Sequence, residues 1–169
     1  MFKKIVIFVF FICQTVLIAE EPLLATLNNI NSIEIQKFKI AQNSFYCRPY
    51  GVISIDKLYA SSLKDSSCKE SVEILYKKNP NLRYFTQNIL KIKQMYHIEY
   101  KKESCIIYAK GAKSYSELLL ENGLAVIKPL FIDEEFSSSF QKAENRAKSS
   151  KLGIWKSDLL TQCIAELYK

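Results

Sequence analysis

Two stretches decide the fold of this chain: SELLLENGLAVIKP at residues 116–129 and AENRAKSSKLGIW at residues 143–155. The first is a leucine-rich run that stops at Gly-Leu-Ala. The second spaces alanines and lysines along a helical repeat and stops at Gly-Ile-Trp. Each therefore predicts an amphipathic helix that is followed by a glycine and an apolar segment returning to the core.

The first helix has a start signal and a stop signal. Ser114 and Glu117 have the spacing of a capping box, in which each side chain bonds to the backbone of the other. We predict a helix over about 115–122. Gly123 then stands where a left-handed C-terminal cap is required.

The second helix is predicted to follow Asp133 and to end at Gly153. Apolar residues recur at intervals of three and four, which places them on one face of a helix. They are Phe136, Phe140, Ala143 and Ala147.

The rest of the chain reads mainly as strands. Extended runs are predicted within residues 24–56, at 95–100 and at 105–108. One further helix is predicted with Ser67 as its cap, and it is stopped by Asn79-Pro80. Strands first, with helices inserted and appended, indicate an α+β fold built on a small barrel.

The order and spacing of the Gly-Leu-Ala and Gly-Ile-Trp segments, together with the Ala-Glu and Ala-Lys pairs between them, resemble the C-terminal half of the staphylococcal nuclease-like (thermonuclease-like) family. The resemblance implies a five-stranded OB-type β-barrel with three helices. It also implies calcium-dependent hydrolysis of phosphodiester bonds in DNA or RNA.

The first residues are typical of an export signal. Lys3 and Lys4 precede an uncharged, mostly apolar run at residues 5–19, which is short for a membrane-spanning helix. We expect a signal peptide at residues 1–19 that is cleaved after Ala19, which places the protein in the periplasm or outside the cell. The alternative is a segment that is retained as an N-terminal membrane anchor.

Residues 20–169 are predicted to form one domain, with a C-terminal tail at 156–169. About 150 residues are enough to bury a substantial core. The formal net charge of the whole sequence is +7. This basic bias permits a nucleic-acid partner without requiring one.

Four cysteines follow the N-terminal segment, and an even count in an exported chain indicates two disulfides. The sequence alone leaves three pairings open. The resemblance places Cys47 and Cys105 on neighbouring strands, so it favours Cys47–Cys105 with Cys68–Cys163. Zinc is a weak alternative, because there is no C-x-x-C spacing and only one histidine.

The resemblance also predicts where the chemistry would lie. Arg48 is similar to the first catalytic arginine of the family, Asp56 stands at the position of the glutamate that activates water, and Lys102 stands at the position of the second arginine. The calcium ligands would be Glu34 and the carbonyl of Ser54.

The chain departs from the family pattern at several of these positions. Ile53 stands where the family has a metal-binding aspartate, and calcium usually needs more than one carboxylate. Lys102 cannot form the planar bidentate clamp that arginine makes on a phosphate. Asp56 is one methylene shorter than glutamate, which would misplace the water.

We therefore favour a pseudoenzyme: an exported nuclease-like domain with impaired catalysis, no expected cofactor, and a structural or interaction role in an envelope assembly such as a motility or secretion machine. Its partner would be an envelope protein. The residues at 82–96 and the tail are candidate contact surfaces. The alternative is an active, secreted, calcium-dependent nuclease.

Two further features carry weaker hypotheses. His97 stands alone, and a packed or surface role is favoured over catalysis because no nucleophile motif accompanies it. Aromatic residues interleave with lysines between 84 and 108, which is compatible with a stacking surface for single strands. Core aromatics with solvated lysines are the favoured reading. The aromatics are Tyr84, Phe85, Tyr96, Tyr100 and Tyr108, and the lysines are Lys91, Lys93, Lys101 and Lys102.

Overall fold

A computed structural model describes residues 22–59, 66–101, 103–128 and 133–168. Its strands are β1 Leu23–Ile30, β2 Gln36–Ile40, β3 Asn43–Cys47, β4 Val52–Ser54, β5 Met95–Lys101, β6 Ser104–Lys110, β7 Lys113–Ser114 and β8 Ala125–Ile127. Its α-helices are α1 Ser66–Lys78, α2 Pro80–Arg83, α3 Phe85–Ile89, α4 Tyr115–Glu121, α5 Glu134–Ser149, α6 Asp158–Gln162 and α7 Ile164–Leu167. Short 3₁₀ helices cover Ile55–Tyr59 and Gly153–Lys156.

The strands form two antiparallel sheets. Six strands pair in the order β3-β2-β1-β5-β6-β7, and β4 pairs with β8 in a separate sheet of two. A parallel bridge joins Pro49, just beyond the edge strand β3, to Cys105 in β6, the neighbour of the other edge strand. The fold is thus α+β and OB-like, with a bridge rather than a continuous ladder between the ends of the sheet in the described residues.

The capping box at α4 is confirmed. Ser114 Oγ accepts a hydrogen bond from the Glu117 backbone N–H, and the Glu117 carboxylate accepts one from the Ser114 N–H at 2.8 Å. Gly123 follows at φ 65°, as a left-handed cap requires. The sequence therefore predicted both ends of this helix correctly.

The second predicted helix, α5, begins directly after Asp133 as expected. Its predicted apolar face is buried: Phe136, Phe140, Ala143 and Ala147 are all less than a tenth exposed. The predicted stop at Gly153 is wrong. The helix ends at Ser149, and the left-handed turn is made by Lys151 at φ 51°.

The two signature glycines meet each other. The Ile154 N–H donates to the Gly123 carbonyl at 2.9 Å. A Cβ atom on Gly153 would lie 2.2 Å from that same carbonyl oxygen, and such a contact is sterically forbidden. Only glycine fits at this crossing, so these residues hold the segment after α4 against the segment after α5.

The helix α1 and the tail are joined covalently. Sulfur atoms of Cys68 and Cys163 are at bonding distance, as are those of Cys47 and Cys105, so the pairs are those that the resemblance favoured. Ser67, predicted to cap α1, lies inside it instead, because the helix begins at Ser66. No helix in the described part of the chain is long and apolar enough to cross a bilayer.

Candidate functional site

A cleft of about 870 Å³ opens beside the bridge that joins the two ends of the long sheet. It brings together three of the positions at which the resemblance predicted or excluded chemistry, namely Glu34, Arg48 and Ile53. Its other charged lining residues are Lys57, Lys101, Glu103, Lys128 and Asp133.

Arg48 is positioned by its neighbours. Cys47 is bonded to Cys105, and the Cys105 N–H donates to the Arg48 carbonyl at 2.8 Å. The Tyr50 N–H in turn donates to the Cys105 carbonyl at 3.0 Å. The backbone of Arg48 is therefore fixed on both sides, while its side chain is exposed in the cleft.

Glu34 lies in the turn between β1 and β2. Ser32 Oγ accepts hydrogen bonds from the backbone N–H groups of Glu34 and Ile35, both at 3.1 Å. This local motif makes a compact turn without a glycine. It leaves Glu34 half-buried at the edge of the cleft.

Asp56 lies elsewhere. Its carboxylate accepts hydrogen bonds from the Ile33 N–H at 3.2 Å and from the Tyr76 hydroxyl at 3.1 Å, and the residue does not line the cleft. Burial raises the pKa of Asp56, against the lowering effect of these two hydrogen bonds. The carboxylate thus ties the β1–β2 turn to α1, and its predicted catalytic role stays a prediction.

The same turn is held by a second set of buried groups. The Ile33 carbonyl accepts from the Tyr115 hydroxyl at 3.2 Å and from Gln36 Nε2 at 2.8 Å. The Tyr115 hydroxyl also shares a hydrogen bond of 2.6 Å with Thr86. The turn that presents Glu34 is therefore a rigid part of the core.

The predicted ligand Ser54 and the preceding residue, Ile53, have different surroundings. Ile53 is half-buried and lines the cleft, where the resemblance implies an aspartate. Ser54 is 1 % exposed, and its hydroxyl has no hydrogen-bond partner among the described residues. Its backbone pairs with Ala125 in β8.

These residues do not fit a calcium ion. Calcium in proteins takes six to eight oxygen ligands, commonly with several carboxylates. In the described ranges no three His, Cys, Asp or Glu residues are grouped closely enough to hold a metal. Glu34 is the one predicted ligand whose side chain lines the cleft, and Ile53 contributes no oxygen to it.

Two of the cleft's cations are already engaged. The Lys101 ammonium group lies 3.4 Å from the Asp133 carboxylate and 5.8 Å from the centre of the Phe136 ring. Lys57 Nζ donates to the Leu167 carbonyl at 2.6 Å. Lys102, the predicted counterpart of the second arginine, lies outside the described residues.

Sequence reasoning did not assign Lys57, Tyr50 or Asp133 to the site. The Tyr50 hydroxyl accepts from the Asp133 N–H at 2.8 Å, across 83 residues of sequence. Lys57 meets Leu167 across 110 residues. No local sequence pattern predicts contacts between residues so far apart in the chain.

The aromatic residues do not form one stacking surface. Phe85 and Tyr96 are buried, and the Tyr96 hydroxyl accepts from the Lys91 N–H at 2.7 Å. The Tyr108 hydroxyl donates to Glu99 at 2.6 Å. The favoured reading of core aromatics holds for Phe85 and Tyr96. It is wrong for Tyr84 and Tyr100, which are exposed.

His97 occupies the exposed face of the long sheet. Within β5 it lies opposite Leu24 of β1 on one side and opposite Tyr108 of β6 on the other. It does not line the cleft. A surface role for His97 fits this position.

The fold and the cleft define an OB-like domain of the nuclease type. A family model described as staphylococcal nuclease homologue matches residues 68–157, just over half of the chain, so the chain belongs to that family. No curated protein matches the chain. The matched range begins beyond Glu34, Arg48 and Asp56, and therefore covers the structural signature but little of the predicted site.

Proposed function

We propose that this nuclease-family domain is exported, has lost calcium-dependent hydrolysis, and acts as a structural or interaction module in an assembly of the cell envelope. A single observation carries the loss of catalysis. The cleft presents Ile53 where the family mechanism needs a metal-binding carboxylate, and it leaves Glu34 as the one predicted acidic ligand there.

The position of Asp56 supports the same conclusion. A general base must come within hydrogen-bond reach of the water that it activates. The Asp56 carboxylate is used instead by the Ile33 N–H and the Tyr76 hydroxyl. Moving it into the cleft would break two part-buried hydrogen bonds, at a cost of about 1–3 kcal/mol for each group left unpaired.

Export is supported by two features. The charged and apolar residues at 1–19 have the pattern of a signal peptide. All four cysteines beyond that segment are paired, and disulfides persist mainly in oxidising compartments. Retention of the segment as a membrane anchor is the alternative, and the mass of the mature protein distinguishes the two.

A nuclease is the second candidate, because Arg48 and Glu34 do share one cleft. The test is digestion of single-stranded DNA and RNA by the purified chain, with calcium, with other divalent ions and with a chelator. We expect no metal-dependent cleavage.

Arg48→Ala is the matched control for that assay. Cleavage that requires a metal and disappears in Arg48→Ala would establish the nuclease and remove the proposal. Cleavage that survives in Arg48→Ala would come from a contaminating enzyme. Binding without cleavage, falling steeply with salt, would instead indicate a non-catalytic nucleic-acid module.

A further inference from the structure

A second pocket lies between the end of α1, the end of α4 and the segment that follows α5. It encloses about 390 Å³ and shares no lining residue with the cleft. Its charged lining residues in the described chain are three lysines, with no carboxylate among them. They are Lys78, Lys151 and Lys156.

The ends of the helices do not need these lysines. Asn79 donates to the Leu75 carbonyl through both its backbone N–H and its side-chain amide, at 2.9 Å each. The Asn122 amide donates to the Leu118 carbonyl at 2.8 Å. Amides thus satisfy the carbonyls that a lysine would otherwise cap.

The ammonium groups of the three lysines make few hydrogen bonds or ion pairs within the described chain. Lys156 donates to the Asn79 side-chain oxygen at 3.3 Å. Lys78 and Lys151 are exposed and have no ion-pair partner among the described residues. Three like charges around one small pocket repel each other, and an anion placed between them would relieve that repulsion.

Lys151 adds a second observation. It has a φ of 51°, the left-handed conformation in which glycine or asparagine is usual at a helix end. A glycine would satisfy the backbone at this position without strain. The lysine contributes only a side chain, and that side chain lines the pocket.

We propose that this pocket binds an acidic segment of a protein partner, with carboxylates facing the three lysines and an aliphatic side chain against Leu82 and Leu152. Leu152 is 40 % exposed beside the lysines, so the surface is apolar as well as basic. The inference rests on the proposed role as an interaction module and gives that role a surface and a partner chemistry.

The lining favours a peptide over a nucleic acid. Arginine is the preferred residue for bidentate contacts to phosphate, and aromatic side chains provide stacking for bases. Neither is present among the residues that line the pocket. The asparagine amide of Asn81 can pair with a peptide backbone.

The test is fluorescence anisotropy with the full chain and a labelled ten-residue peptide of aspartate and glutamate around a central leucine. We expect Lys78→Gln, Lys151→Gln and Lys156→Gln each to weaken binding about two- to fivefold, and the triple variant to weaken it about tenfold or more. Lys142→Gln, on the exposed surface of α5 and outside the pocket, should leave binding unchanged.

Lys151→Gly separates a binding role from a structural one. It should raise the urea midpoint of unfolding, because glycine accepts the left-handed conformation, and it should weaken peptide binding as Lys151→Gln does. A lysine that served stability alone would not produce this opposite pair of changes.

Three results would overturn the inference: unchanged binding in the triple variant, equal affinity for a peptide with asparagine and glutamine in place of the acids, or tighter competition by a single-stranded oligonucleotide. None of these concerns catalysis. Metal-dependent cleavage would remove the proposed function, whereas any of these three results removes only the role proposed for this pocket.

Discussion

The signature glycines and the cleft are two regions of one domain under different constraints. At the crossing of Gly123 and Gly153 the backbones touch, and no side chain fits. In the cleft, Ile53 occupies a position where the resemblance implies an aspartate, and the surrounding β4–β8 pairing is intact. A sequence can therefore keep the first region and lose the second.

This difference explains why the fold was easier to recognise than the activity. Residues at the crossing are required by steric contact and by helix capping, which any protein with this architecture shares. A metal-binding carboxylate at position 53 would be required only by a reaction. Mutations in the two regions should therefore have very different effects on stability.

The largest effect is expected at the crossing. Gly153→Ala would place a Cβ atom 2.2 Å from the Gly123 carbonyl oxygen and would also strain a residue with φ of 52°. We expect a loss of about 4–6 kcal/mol in the free energy of unfolding, measured by urea titration.

Gly111→Ala is the matched control for that variant. Gly111 has a similar φ of 60°, but nothing lies within 4 Å of a Cβ atom built on it. It should lose only about 1–2 kcal/mol, from backbone strain alone. Equal losses in the two variants would show that the contact between the glycines is unimportant.

The next effect concerns the tail, which extends beyond the range matched to the family. Replacing both Cys68 and Cys163 by alanine opens a link between residues 95 positions apart. We expect a loss of about 4 kcal/mol, on the chain-entropy account of disulfides. Urea unfolding of the wild type and of the double variant without reductant, which leaves Cys47–Cys105 closed in both, measures it. A loss below about 1 kcal/mol would contradict the tail's part in the fold.

A smaller effect is expected at Asp56. Its pKa in the folded chain is raised above the ordinary value of 3.8. At pH values between 3.8 and the raised pKa, the folded state therefore binds more protons than the unfolded state. Stability contributed by this group therefore falls as pH rises through that window. Asp56→Asn stays neutral and can still bond to Ile33 and Tyr76.

We therefore expect Asp56→Asn to gain stability relative to the wild type as pH rises from about 4 to 7, in urea titrations at several pH values. Asp56→Ala, which loses both hydrogen bonds, should cost about 1–3 kcal/mol at every pH. If the stability of Asp56→Asn relative to the wild type instead fell with rising pH, burial would not be the dominant influence on the pKa of this carboxyl.

The smallest effect on stability is expected in the cleft. Ile53→Asp should cost about 1 kcal/mol or less, because the side chain is half-buried at an open surface. With Glu34 it supplies a second carboxylate, so calcium should raise the melting temperature of this variant and leave the wild type unchanged. Ile53→Asn is the neutral control, and an equal response from it would exclude a carboxylate effect.

Much of the helical layer could be predicted from the sequence, because its signals are local. The capping box at Ser114 and the apolar face of α5 involve residues three or four positions apart. The turn after α5 was predicted at the wrong residue, because Lys151 takes the left-handed conformation that pattern reasoning reserves for glycine.

The site was predicted less well, since its geometry depends on distant contacts. Glu34 and Arg48 both line one cleft, and the roles that the resemblance implies for them stay predictions. Asp56 faces Tyr76 instead, and Lys57 is held by Leu167 in the tail. No spacing in the sequence records these pairings, which arise when α1 and the tail pack against the rest of the domain.

The central claim is that this domain keeps the nuclease fold without the calcium site. Calorimetric titration of calcium into the wild-type chain tests it most directly. The account predicts no saturable binding up to millimolar calcium. One-to-one binding that is lost in Glu34→Gln would contradict it.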